Sequence, residues 1–304
     1  MSTRPSQLIA DLSVGTPAAQ TDLSEDLVRR LLQEQHPDLA NCRVCFVAEG
    51  WDNAMYRIGE DLCARLPRRP VAEDLIKLEQ HWLAEFAPRL PIPIPAVTRV
   101  GVPGCGFPWV WSIIPWLDGE PVSTKRLDDG EGVALAYFLK ALHVPAPKDA
   151  PLSDCRGGPL STRVDLVTFR TSRLAPDFDW IEQQISPIWA DALSAPDDGA
   201  LVWLHGDLHP RNVLMRDGKL SAIIDWGDMC VGDPATDLAA LWLLLPSPQS
   251  RALAVEIYKP SPAMLRRAKG WAITWGLLLL DTGRVDNAEH AQIGEIILRQ
   301  VLMG

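Results

Sequence analysis

Positive charge is what this sequence has little of. Its 304 residues carry 29 Lys and Arg against 39 Asp and Glu, for a formal net charge of −10. A nucleic-acid binder needs a basic face to neutralise phosphates, so no nucleic-acid partner is expected. Long apolar runs are also missing. The two longest, residues 238–245 and 271–280, fall short of the roughly 18–20 residues that cross a bilayer, so no membrane association is expected. Residues 1–16 hold one arginine and no apolar stretch, which argues against a secretory leader. The six cysteines are scattered, and Cys42-x-x-Cys45 has no second Cys/His pair to complete a zinc set. Free thiols in a reducing cytoplasm are the expectation. There is no internal repeat, which excludes a solenoid. Tyrosine is scarce, three against twelve tryptophans, but tryptophan serves cores as often as ligand walls, so this excludes nothing by itself.

What is present suits a folded domain: 47% apolar and 22% charged residues, enough for one large core or two modest ones. Residues 1–20 are polar, with Pro, Ser and Thr, and read as a flexible tail. Asp22 with Glu25 predicts a helix start, and Leu23, Leu27, Leu31 and Leu32 give its apolar face. Strands are predicted over 42–47, 53–58 and 62–66, then a helix over 71–87 with Leu75, Leu78, Trp82, Leu83 and Phe86 on one face. The proline-rich residues 88–95 forbid helix, and two more strands follow at 97–100 and 109–114. Beyond 117 the pattern turns helical: 130–143, 162–174, 178–193, 235–245, 250–257, 262–280 and 286–302. A Pro- and Gly-rich loop spans 144–159, and a hairpin over 213–224 turns at Asp217-Gly218. The expectation is an α+β fold with two lobes. Residues 21–116 form a small antiparallel sheet with one helix, and residues 117–304 form a larger, mainly helical lobe.

The chemistry concentrates in His205-Gly206-Asp207-Leu208-His209-Pro210-Arg211-Asn212 and in Ile224-Asp225-Trp226-Gly227-Asp228. The hairpin between them folds Asp225 back beside Asp207 and Asn212. Phosphoryl transfer from a nucleotide needs one carboxylate to orient the acceptor hydroxyl and take its proton. It also needs hard oxygen ligands for Mg²⁺. Asp207 suits the first task; Asn212 and Asp225 suit the second.

These motifs, followed in order by Gly232-Asp233-Pro234-Ala235-Thr236-Asp237, resemble the aminoglycoside phosphotransferase and choline kinase-like family. The resemblance implies a protein-kinase-like two-lobed fold over about residues 24–300. It makes 21–116 the nucleotide-binding lobe and 117–304 the catalytic and substrate lobe. It implies ATP or GTP and Mg²⁺ as cofactors. The first hairpin turn holds one glycine rather than G-x-G-x-x-G, and the backbone amides of Gly50, Trp51, Asp52 and Asn53 would face phosphate. Arg65 stands where protein kinases carry a strand lysine. Its helix partner is Glu79, with Glu73, Asp74 and Glu85 as competitors. By the same resemblance the adenine edge would be read by the Pro115 carbonyl and the Leu117 amide. His209 either donates to phosphate or braces the loop. His205 and Asp237 read as braces.

The acceptor is a small hydroxylated molecule. Asp228, Asp281 and Glu289 are candidate ligands for a cationic one, and Asp228 is also placed to reach the metal. Aminoglycosides lead because a cationic molecule suits an acidic cleft; macrolides, choline-like alcohols, sugars and hydroxy acids stay open. Trp271 and Trp275 read as core rather than substrate wall. A nucleotide-binding pseudoenzyme of the same fold is the competing reading, motivated by Arg65 and the single-glycine loop. No activation segment separates Asp225 from Gly232-Asp233-Pro234, which argues against a protein substrate. Nothing in the sequence addresses oligomeric state.

Overall fold

The structure, a computed structural model, describes residues 18–123, 126–153 and 155–304. Of the expected tail, residues 1–17 lie outside the described residues. Helix α1 (Glu25–Gln35) is capped by Ser24, whose hydroxyl accepts from the Leu27 amide at 3.2 Å. Asp22 lies two residues too early for that role. A serine at this position satisfies one of the unpaired amides of the first turn. Leu27, Val28, Leu31 and Leu32 then form a buried stripe on α1.

Strands β1 (Val44–Glu49), β2 (Asn53–Ile58) and β3 (Leu62–Pro67) form a meander. After helix α2 (Pro70–Phe86) come β4 (Arg99–Gly101) and β5 (Trp111–Pro115). The five strands make one antiparallel sheet, as expected, in the order β1-β2-β3-β5-β4 that the sequence leaves open. One sheet face, with Tyr56, Leu66, Trp111 and Ile113, closes a core against the α1 stripe.

Helix α2 buries its own stripe elsewhere. Trp82, Leu83 and Phe86 belong to the core of the larger lobe. The Phe86 ring lies 5.1 Å from that of Trp203 and 6.3 Å from that of Trp226. The small lobe's helix is therefore anchored in the large lobe, which fixes Glu79 relative to residues 225–226.

The larger lobe begins with β6 (Glu120–Pro121) and α3 (Glu131–Leu142). Next come α4 (Val164–Leu174), α5 (Ser186–Ser194), β7 (Val202–Leu204), β8 (Val213–Arg216), β9 (Lys219–Ile223) and β10 (Cys230–Gly232). It ends with α6 (Ala235–Leu238), α7 (Ala240–Leu243), α8 (Pro248–Tyr258), α9 (Pro262–Asp286) and α10 (Ala288–Leu302). The hairpin turns where predicted, with Asp217 and Gly218 at φ +52° and +79°. Three details differ from expectation. The helix expected over 178–193 starts with a π turn, Ile181–Ile185, and that expected over 235–245 is two short pieces. The loop at 144–159 is tied down, with Pro145 bridging Val202 and Leu152 bridging Val231. Strands β7 and β10, which pair with each other, have three residues each, too short for alternation to show in sequence. Among the described residues no helix is long and apolar enough to cross a membrane.

Candidate active site

Asp207 sits on a loop held from two sides. Asp237 accepts from the His205 amide at 2.7 Å and the Gly206 amide at 2.9 Å. The buried His205 ring accepts from the Asp207 amide through Nδ1 at 3.2 Å. Its Nε2 must then carry the proton, which it donates to the Ile224 carbonyl at 3.0 Å. One imidazole thus ties the Asp207 loop to the strand end that carries Asp225. Gly206 has φ +83°, and a Cβ there would lie 2.5 Å from the Asp228 carbonyl oxygen, so the loop admits only glycine at this point.

The hairpin closes the set. The Ile224 amide donates to the Asn212 carbonyl at 2.9 Å. Asn212 Nδ2 donates to the Asp207 carboxylate at 3.0 Å and to its carbonyl at 2.9 Å. That orientation leaves Asn212 Oδ1 without a donor among the described residues. Asp225, in the left-handed region at φ +61°, keeps its carboxylate half-exposed. Asn212 Oδ1 and the Asp225 carboxylate, brought near each other by the Ile224–Asn212 backbone hydrogen bond, are hard oxygen donors of the kind that fits Mg²⁺ completed by phosphate and water.

Arg65 reaches the same place from β3. It pairs with Glu79 and donates from Nη2 to Asp225 Oδ1 at 2.7 Å. With its amide turned to suit the guanidinium, Asn53 Oδ1 accepts from Nη2 at 3.1 Å and from Nε at 3.2 Å. Glu79 also accepts from the Trp226 amide at 3.0 Å. Burial lifts the Glu79 carboxyl above the usual carboxylate range, with Arg65 opposing. The competing acids have other partners. Glu73 takes the Val110 amide and Lys77, Asp74 faces Lys77, and Glu85 pairs with Arg89.

The hairpin turn at 49–53 is braced by two arginines that sequence reasoning missed. Buried Arg68 donates to the carbonyls of Gly50 at 2.7 Å and Trp51 at 3.2 Å, and pairs with Glu49. Arg69 pairs with Asp52 at 2.6 Å. Their signal was an Arg-Arg between two prolines at the end of β3, directly after the strand that carries Arg65. Trp51 is exposed. At the interlobe segment Pro115 ends β5, and the Trp116 amide donates to the Asp61 carbonyl at 2.7 Å. The Leu117 amide has no acceptor among the described residues.

The acceptor side departs most from expectation. Arg156, on the loop read only as Pro- and Gly-rich, donates from Nη2 to Asp207 at 3.3 Å and to Asp228 at 3.1 Å. Its guanidinium lies 4.6 Å from the Trp275 ring centroid. The His209 ring packs on the same tryptophan at 5.6 Å. His209 Nδ1 accepts from the Arg211 amide at 3.2 Å, which turns Nε2 toward Asp207, 3.5 Å away. Burial pushes the Asp207 carboxyl up, but His209 and Arg156 more than offset that and hold it below the usual range. Asp281 is buried against Arg173 at 3.2 Å and Arg170 at 4.0 Å, so it is no open ligand for a cation. Glu289 is exposed in the first turn of α10. Trp271 and Trp275 are both buried in the core of the larger lobe, as expected, and the Trp275 ring also meets Arg156 and His209.

With these positions fixed, likeness to known proteins decides the family. Residues 43–269 match the model of the phosphotransferase enzyme family (APH). The chain belongs to this family. It is 29% identical over 199 residues to an aminoglycoside 3'-phosphotransferase of Escherichia coli, covering 60% of this chain and 67% of that one. An aminoglycoside 3'-phosphotransferase of Streptomyces fradiae is 27% identical over 167 residues, covering 51% and 59%. The GDP complex of aminoglycoside 2'-phosphotransferase-IIIa shares the fold with TM-score 0.68 at 17% identity, over 92% of this chain and 99% of that one. So does macrolide 2'-phosphotransferase MphH of Brachybacterium faecium, with TM-score 0.62 at 22% identity over 90% and 98%. The α+β, protein-kinase-like architecture and a phosphotransferase acting on an alcohol group are thereby established for this chain. In this phosphotransferase the acidic cleft inferred from net charge is partly neutralised from within, by Arg65 and Arg156. Of three carboxylates nominated for a cationic acceptor, Asp228 and Asp281 already face arginines.

Proposed function

We propose that this phosphotransferase moves the γ-phosphoryl group of ATP or GTP to a hydroxyl of a small molecule, with Asp207 as the base. The observation that supports this best is the convergence of Asp207, Asn212 and Asp225 with the Arg65–Glu79 pair. The acceptor oxygen attacks the γ-phosphorus, its proton passes to the Asp207 carboxylate, the bond to the β-phosphate oxygen breaks, and the nucleoside diphosphate leaves. Asp207 is already ionised for this task. Asn212 Oδ1 and the Asp225 carboxylate would hold Mg²⁺, which supplies charge neutralisation to the phosphates. Arg65, positioned by Glu79 and Asn53, faces the transferring group.

Residues 21–116 are assigned as the nucleotide-binding lobe and 117–304 as the catalytic and substrate lobe. The amides of Gly50, Trp51, Asp52 and Asn53 would cover the phosphates, their turn held open by Arg68 and Arg69. The Pro115 carbonyl and the Leu117 amide would read the base edge. His209, turned toward Asp207, is assigned to brace it. Asp228 and Glu289 stay on the acceptor side, and Asp281 is assigned a structural ion pair. The six free cysteines support a cytoplasmic location. The related enzymes of known structure include complexes with kanamycin, streptomycin and gentamicin, so those compounds head the panel of acceptors.

Release of ADP or GDP tests the reading, measured with Mg²⁺ and each nucleotide across aminoglycosides, a macrolide, choline, sugars and hydroxy acids. A basal Mg²⁺-dependent hydrolysis that disappears in Asp225→Ala is expected even before the acceptor is known. Hydrolysis that persists in that variant, or its absence from the wild type with every acceptor, would remove the kinase reading in favour of a nucleotide-binding protein without turnover.

A further inference from the structure

Arg156 enters the site by a route that is built, not incidental. Ser153 Oγ accepts from the Cys155 amide at 3.2 Å and from the Arg156 amide at 3.0 Å, which folds the loop tightly. Gly157, at φ +67°, then packs against Gly232 of β10. A Cβ on Gly232 would meet the Gly157 Cα at 2.4 Å, and one on Gly157 would meet the Gly232 Cα at 2.8 Å. The Asp233 amide donates to the Gly157 carbonyl at 2.8 Å, and the Val231 amide to that of Pro151 at 2.9 Å. The loop is thus docked on the strand that follows Asp228, which brings Arg156 to Asp207 and Asp228.

The way its donors are used points to a ligand. Nη2 serves both Asp207 and Asp228. Nη1 has no acceptor among the described residues, and Nε is buried without one. A guanidinium has five donors in a fixed fork, and Nη1, which unlike Nε is not buried, is left to be completed by a ligand that approaches Asp207. One face is stacked on Trp275, so the plane is held in place. A preorganised fork with open donors, beside the carboxylate that takes the acceptor proton, suits an oxyanion. It repels an ammonium group placed there.

We infer that Arg156 is the specificity-determining residue of the acceptor subsite, and that the acceptor carries a carboxylate or a phosphate ester near the hydroxyl that is phosphorylated. This rests on the kinase reading above and narrows it. The acceptor's anionic oxygens take the open Nη1 edge, while Nη2 keeps Asp207 and Asp228 in place. Polycationic acceptors are disfavoured, because two of the three carboxylates that would hold them, Asp228 and Asp281, are paired with arginines.

Four pyranoses matched in ring separate the cases: glucuronate, glucose 6-phosphate, glucose and glucosamine. Their binding to the full chain with Mg²⁺-ADP is measured by titration calorimetry. At least one anion is expected to bind tenfold or more tighter than glucosamine, and which one distinguishes a carboxylate from a phosphate ester. Arg156→Ala should erase that preference, and Arg156→Lys, which keeps the charge without the fork, should retain part of it. Equal binding of anion and amine, no binding of either anion, or a preference unchanged in Arg156→Ala would overturn the inference. Basal Mg²⁺-dependent hydrolysis in the same preparation keeps the two readings apart. If hydrolysis persists and the anion preference fails, only the role of Arg156 falls. If hydrolysis is absent, the kinase reading falls on its own evidence.

Discussion

Two arginines of the site, Arg65 and Arg156, each bridge two carboxylates, and they are built to different degrees of completion. Arg65 stands on a central strand, buried, with Glu79, Asp225 and Asn53 taking its donors. Arg156 stands on a docked loop, with Nη2 shared at longer distances and the remaining donors open. The first is a closed fixture: removing either partner leaves a charge stranded in the interior. The second is half-filled, with Nη1 left for the acceptor on the inference above. On the proposed function, saturation marks the side that would serve one invariant group, the triphosphate. Incompleteness marks the side where selectivity is left to the ligand.

Breaking the closed fixture has the largest expected effect. Arg65→Ala leaves Glu79 buried and unpaired, a loss of about 3–5 kcal/mol of stability. Thermal unfolding should show this as a fall of several degrees, together with weakened nucleotide binding. An unfolding temperature within a degree of wild type would mean that the pair is not the clamp described here. Arg156→Ala should cost far less, about 1 kcal/mol or under, because Asp207 and Asp228 keep contact with solvent and other partners. Nucleotide affinity should stay within a factor of about two, a change of under 0.5 kcal/mol on the affinity scale. A nucleotide defect as large as that of Arg65→Ala would erase the division between the two sides.

Gly157→Ala sharpens the same point through the backbone. Its positive φ and the contact with Gly232 leave no room for a methyl group, so a cost of about 1–3 kcal/mol is expected, with loss of acceptor discrimination. Discrimination that survives would show that Arg156 does not depend on this docking. The smallest effect belongs to Arg68→Lys. It keeps a charge near Glu49 but cannot hold two carbonyls in a fork, so the nucleotide KM should rise a few-fold at unchanged fold stability. An unchanged KM would detach Arg68 from the turn over the phosphates.

The difference between the two sides also explains what could be read from sequence. Arg65 lies in a strand with clear alternation, followed by a periodic helix, so its place and its candidate partners follow from spacing. The Asp207–Asn212–Asp225 spacing is legible because a short hairpin with an Asp-Gly turn leaves one way to fold it. Arg156 carries no such pattern. Its position depends on two glycines meeting across 75 residues of chain and on a β7–β10 pair of three residues per strand. Neither leaves a periodic signal. Trp275 is core, as its helical spacing predicts, but spacing does not tell that its ring also meets Arg156 and His209. The cap of α1 shows the limit on a smaller scale, since Ser24 and Asp22 are both residue types that cap helices and spacing alone does not choose between them.

The central claim is that Asp207 is the base of a phosphoryl transfer organised by Asn212 and Asp225. Asp207→Asn tests it most directly, because it keeps the shape of the side chain and a partner for Asn212 while removing the proton acceptor. Nucleoside diphosphate release and nucleotide affinity are measured in one preparation. The account predicts a loss of turnover of roughly 10²-fold or more, with nucleotide affinity close to that of the wild type. Turnover at the wild-type rate in Asp207→Asn would contradict it.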